Sequence, residues 1–108
     1  MKAWVILFAM SLVSGSATAN IVEAGKAVHS ANGCQGCHGE LGVSPSPAAF
    51  PHLAGQHASY LEYALRGYRD GSRRNALMNQ FAARLTDLEI RQLAAFYAAQ
   101  DGLIIPRR

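Results

Sequence analysis

The sequence predicts an all-α domain, on three observations. Three stretches place apolar residues at helical spacing. No stretch alternates apolar and polar residues in the manner of a half-buried strand. What remains is long connecting chain rich in Gly, Pro and Ser. The 108 residues suffice for one domain, and no segment repeats another.

The first helix is expected from about Ile21 to Ala31, and the second from about Gln56 to Tyr68. In the second, Tyr60, Leu61, Ala64, Leu65 and Tyr68 recur at i, i+1, i+4, i+5 and i+8, one helical face. Asp70-Gly71 is a turn signal that stops it. The third helix, about Asp87 to Gln100, is the clearest. Thr86 can cap it and Glu89 completes a capping box, while Leu85 can pack on Ile90 as a hydrophobic staple. Ile90, Leu93, Ala94 and Tyr97 line one face with Phe96 beside it; Asp101-Gly102 and Pro106 end the helix. Gly39 to Gly55 carries Pro45, Pro47 and Pro51. A connection that long is unusual in a small domain, and one that wraps a cofactor would be ordered by it. Ser72 to Gln80 reads as a second polar connection.

Residues 1–19 read as an export signal: a positive start at Met1-Lys2, a mostly apolar run from Ala3 to Val13, and small residues ending in Ala17-Thr18-Ala19. The run is short of the roughly 20 residues a membrane span needs. Cleavage after Ala19 leaves residues 20–108 as the domain. A domain so small buries a modest core and needs help from a disulfide, a metal or a cofactor. Its two cysteines, Cys34 and Cys37, are three positions apart, so a bridge between them would restrain almost no chain. Without Lys2 the balance is nine Lys and Arg against seven Asp and Glu, too even to argue for nucleic acid.

Cys34-Gln35-Gly36-Cys37-His38 is the C-x-x-C-H pattern of covalent haem attachment. One turn of backbone presents two thiols to the two vinyl groups of the porphyrin, and the next residue brings an imidazole to the iron. Two other readings of C-x-x-C stand beside it. A thiol–disulfide redox pair normally sits in a βαβ pattern, which is not visible here. A zinc half-site needs a second ligand pair, which His52 and His57 offer only at atypical spacing. The sixth iron ligand is nominated by elimination. Met1 and Met10 leave with the signal, so a thioether ligand is Met78. A His/Met pair raises the potential and suits an electron carrier. The alternatives are Met78 as a core filler, or bis-His ligation through His29, His52 or His57.

With these residues in place, the chain resembles the class I cytochromes c, nearest to the small bacterial c4/c5/c553 type. The likeness runs over nearly all of the mature chain. It rests on Gly25-Lys26, Cys34 to His38, Gly39 and Gly42, then Pro51-His52-Leu53-Ala54-Gly55-Gln56 and Tyr60-Leu61. It continues through Tyr68-Arg69-Asp70-Gly71-Ser72-Arg73, Asn75 and Met78 to Leu85–Ile90 and Leu93–Tyr97. The resemblance implies a small fold of three or more helices and long loops wrapped around one covalent haem c, with His38 and Met78 as axial ligands of the iron. It further implies that the Pro51 carbonyl accepts the His38 Nδ1 proton. Leu53 would pack on the haem, and Gly25 would let the first helix cross closely over Phe96. Four residues after Gly25 the family usually carries an aromatic; this chain has His29.

The function expected is periplasmic single-electron transfer in a respiratory or related chain of a bacterium, without catalysis. The partners would be a redox protein donor and acceptor, one of them possible as a membrane-bound or multisubunit complex. Two alternatives are a haem subunit of a larger dehydrogenase or oxidase, and a ligand-binding haem with an open sixth site. Arg66, Arg69, Arg73 and Arg74 could dock an acidic partner, pair with haem propionates, or simply be solvated.

Overall fold

A computed structural model describes residues 1–9 and 17–102. Among them five helices and no strands are found: α1 Ala17–Ala31, α2 Gln35–His38, α3 Ala58–Asp70, α4 Ala76–Ala82 and α5 Asp87–Ala98. Met10 and Pro106 lie outside the described residues.

The α5 start follows its local sequence. Thr86 Oγ1 accepts from the Glu89 N–H and Glu89 Oε1 accepts from the Thr86 N–H, each at 3.1 Å. Two otherwise unpaired donors at the helix start are thereby satisfied. Leu85 and Ile90, the expected staple, are both buried in the one core cluster with Leu61, Leu93, Ala94, Phe96 and Tyr97. α3 ends where Asp70-Gly71 predicted. Gly71 turns left-handed at φ 87°, and the Ser72 N–H folds back onto Asp70 Oδ1.

Two helices were not expected. α2 is a single turn within the C-x-x-C-H motif. α4 corrects the reading of Ser72 to Gln80 as connection, and it places Met78 on a helix rather than in a loop. The cause is Asn75, whose side chain accepts from both the Leu77 and Met78 N–H groups at 3.1 Å. Leu77, Met78, Phe81, Ala82 and Leu85 then recur at helical spacing. α1 also begins earlier than Ile21.

α1 crosses α5, and α3 packs on both α4 and α5. The α1–α5 crossing is close because Gly25 has no side chain. A Cβ there would lie 1.9 Å from the Gln92 carbonyl oxygen and 2.7 Å from Phe96 Cβ. The departure at His29 is absorbed within the same crossing. His29 is buried, with its ring 5.1 Å from that of Phe96 and edge-on to Tyr97 at 5.4 Å. No described helix is long and apolar enough to cross a membrane.

Candidate haem site

Gly33, left-handed at φ 69°, turns the chain out of α1 into the motif. The His38 N–H bonds to Cys34 O at 3.0 Å and the Gly39 N–H to Gln35 O at 3.0 Å, closing the α2 turn. Cys34 and Cys37, one turn apart, therefore face the same way. Both are free thiols, and both line a cavity of about 420 Å³.

The loop from Gly39 to Gly55 forms the wall beside them. Its order comes from its own hydrogen bonds. The Leu53 and Ala54 N–H groups both reach Gly42 O, at 2.8 and 3.1 Å, and the Gly55 N–H reaches Tyr97 O at 2.8 Å. Phe50, Pro51, His52 and Leu53 are thereby held at the cavity. Pro51 O accepts from His38 Nδ1–H at 2.9 Å. That bond fixes the ring plane and tautomer and leaves Nε2 with its lone pair. α3 adds Leu61, Ala64 and Leu65 to the cavity lining, and α4 adds Met78 and Phe81.

The other histidines are disposed differently. His52 Nδ1 accepts from the Ser44 N–H at 2.8 Å. A neutral His52 then carries its proton on Nε2 and offers a metal no lone pair. His57 is exposed and does not line the cavity. His29 sits in the helix crossing, also off the cavity; its Nδ1 shares a 2.6 Å hydrogen bond with the Tyr97 hydroxyl, and its Nε2 is buried without a partner. Burial lowers the His29 pKa, so the ring is held neutral. Burial raises the Tyr97 hydroxyl far beyond its ordinary range.

These observations bear on the rival readings of C-x-x-C. Burial pushes the Cys34 thiol up, whereas a reactive redox cysteine has a depressed pKa. Among the described residues no group of three or more His, Cys, Asp or Glu is arranged to hold a metal ion, and His57, half of the pair a zinc site would need, is exposed and off the cavity. What is left is a largely apolar cavity with two thiols and one oriented imidazole at its wall. That set fits a covalently held porphyrin.

The cytochrome c family model matches residues 22–99. The chain belongs to the cytochrome c family. It is 42% identical over 71 residues to cytochrome c-554(548) of Halomonas halodenitrificans, an alignment covering 63% of this chain and 84% of that protein. It is 36% identical over 93 residues to cytochrome c4 of Azotobacter vinelandii, covering 76% of this chain and 44% of the other. Among solved structures, reduced recombinant cytochrome c4 from Pseudomonas stutzeri superposes with a TM-score of 0.69 at 30% identity, over 76% of this chain and 49% of that one. The chain thus spans less than half the length of these c4 relatives. The expectations of the class I fold, of covalent haem c, and of an electron-transfer protein rather than an enzyme all hold.

Sequence reasoning did not find Phe81 at the cavity, nor Asn79, which lies off it and ties the preceding connection to α3. Phe81 could have been found from the α4 periodicity. Asn79 could not, since its Nδ2 bonds the carbonyls of Tyr68 and Arg73, at 2.7 and 2.9 Å, through contacts that only the folded chain makes.

Proposed function

We propose that this chain is an exported, periplasmic single-electron carrier. Its haem would be joined to Cys34 and Cys37, with His38 and Met78 as axial ligands. The observation that carries the reading is that both thiols, His38 and Met78 line one cavity, with His38 already oriented by Pro51. Met78 is favoured as the second ligand because the other histidines are spent or misplaced: His52 through its Ser44 bond, His29 and His57 by position.

When bound, haem supplies a one-electron ferric/ferrous couple. The chain's part is to keep that couple's surroundings constant. Pro51 holds the His38 ring, so the imidazole neither rotates nor changes tautomer between oxidation states. The Asn75 cap fixes the turn of α4 that bears Met78. Leu53, Leu61, Leu65 and Leu93 exclude water from the cavity wall, which sets a low dielectric around the ring. Ligands held in this way cost little reorganisation on each transfer.

Residues 1–19 would serve as the export signal and leave by cleavage after Ala19. In support, Trp4, Val5, Ile6, Leu7 and Phe8 are all at least 77% exposed. A donor and an acceptor, both redox proteins, would meet the haem edge.

The test is the visible spectrum of the purified, reduced protein with and without carbon monoxide, for wild type and Met78→Ala. Wild type should ignore carbon monoxide and Met78→Ala should bind it. A wild-type protein that binds it readily has an open sixth site, and the carrier reading fails.

A further inference from the structure

His29 is a buried titratable group that electron transfer, as described so far, leaves unused. It is 2% exposed, in the α1–α5 crossing, with its ring 5.1 Å from that of Phe96. A phenylalanine would fill such a place with no polar atom to satisfy. The imidazole instead leaves Nε2 buried without a partner, which costs stability and calls for a reason. Its other nitrogen is engaged: Nδ1 and the Tyr97 hydroxyl share a hydrogen bond of 2.6 Å. Tyr97 lines the cavity and His29 does not, so the ring stands one side chain away from it. The backbone adds a second tie, since the Cys34 N–H donates to His29 O at 3.2 Å.

The titratable groups that face the ring are Tyr97 from α5, His38 from α2 and Glu40 from the loop that follows, with the Cys34 thiol beyond Tyr97. On α1 itself Lys26, a turn earlier, is exposed. Burial disfavours a proton on His29, the Glu40 backbone favours it, a positive charge at His38 disfavours it, and the Glu40 carboxylate favours it. Ferric iron on His38 would carry one more positive charge than ferrous iron. Reduction therefore removes part of what keeps His29 neutral, across a low-dielectric interior where charges act strongly on one another. The bond to Tyr97 accommodates the extra proton. An imidazolium Nδ1–H donates to the hydroxyl oxygen, and the hydroxyl proton turns away from the ring.

We propose that His29 is a proton-binding site coupled to the haem electron, with Tyr97 joining its ring to the cavity. The inference rests on the reading that this cavity holds the haem. His29 gains a proton from water as the iron gains an electron from the donor protein, and loses it to water as the acceptor removes that electron. The coupling is reciprocal. A proton bound tenfold more tightly by the ferrous protein raises the potential by about 59 mV between the neutral and protonated limits. Since His29 is neutral above its ordinary range, the rise belongs below pH 6.5.

The experiment is voltammetry of the haem-loaded wild type, His29→Phe and Tyr97→Phe between pH 4 and 8, with a visible spectrum at each pH. Proton NMR of the histidine rings follows His29 in the ferrous and ferric wild type. The wild-type potential should rise roughly tenfold in equilibrium constant, about 59 mV, as pH falls below about 6.5. His29→Phe should lose that inflection. Tyr97→Phe should move it to lower pH, because the imidazolium loses its acceptor; this variant and the ring resonance carry the test if His29→Phe does not fold. The His29 ring should titrate about one pH unit higher in the ferrous protein, the same tenfold factor read directly. A wild-type potential that does not change with pH overturns the proposal, as does an inflection that survives in His29→Phe or stays in place in Tyr97→Phe. Equal His29 titration in the two oxidation states overturns it too. So does an inflection that coincides with a change in the visible spectrum, which would be loss of an iron ligand. A wild-type protein without a covalent haem spectrum overturns the reading beneath it, and the spectrum separates that failure from the others.

Discussion

Gly25→Ala sets two effects of opposite sign against each other. Gly25 lies within α1, where alanine is favoured over glycine by about 1 kcal/mol. Propensity alone therefore predicts a stabilised protein. Packing predicts the reverse. The added Cβ would stand 1.9 Å from the Gln92 carbonyl oxygen, about 1.4 Å short of an ordinary C···O approach. The second obstacle, Phe96 Cβ at 2.7 Å, is likewise no flexible tip that could swing aside. Relief requires α1 to move off α5. The face that opens holds Phe96, Tyr97 and His29, none more than 3% exposed. Overpacking of this kind costs about 1–3 kcal/mol, sometimes more, and the loosened aromatic contacts place this site at the upper end. Net of propensity, a loss of about 2 kcal/mol is expected. For a domain of this size that lowers Tm by roughly 8–16 °C. Denaturant unfolding of the haem-loaded protein, followed by far-ultraviolet dichroism and by the Soret band, measures it. A Gly25→Ala protein as stable as wild type, or more so, would refute the close-crossing argument.

Two further outcomes follow from the same geometry. Because burial depresses the His29 pKa below its unfolded value of 6.5, the unfolded chain binds the proton first, and stability should fall as pH drops through 6.5 toward the folded pKa. His29→Phe should remove that slope, read as the difference between denaturant midpoints at pH 7 and pH 5; parallel curves for the two proteins would show that His29 is not the group responsible. Asn79→Ala deletes two donated bonds and the one that Oδ1 accepts from the Asn75 N–H. It should cost about 2 kcal/mol, and a loss below about 0.5 kcal/mol would mean that the 68–79 connection is held by other contacts.

What could be read from the sequence follows how local each cause is. The α5 start is written in the consecutive residues Leu85 to Ile90, and the α3 stop in two, so both were legible. The haem motif is equally local, since a single turn sets the two thiols and the imidazole. α4 was missed although its periodicity was present. Its cap, Asn75, sits in a polar run, and a seven-residue helix gains too little on its own to be distinguished from connection. The features that discriminate among histidines are non-local. His52 Nδ1 is engaged by the Ser44 N–H, eight residues away, and His29 is placed by Tyr97 across a separation of 68 residues. The same distinction divides the arginines. Arg66 and Arg69 meet carboxylates, Arg74 open solvent and Arg73 a pair of tyrosines, and only the fold separates four side chains that look alike in sequence.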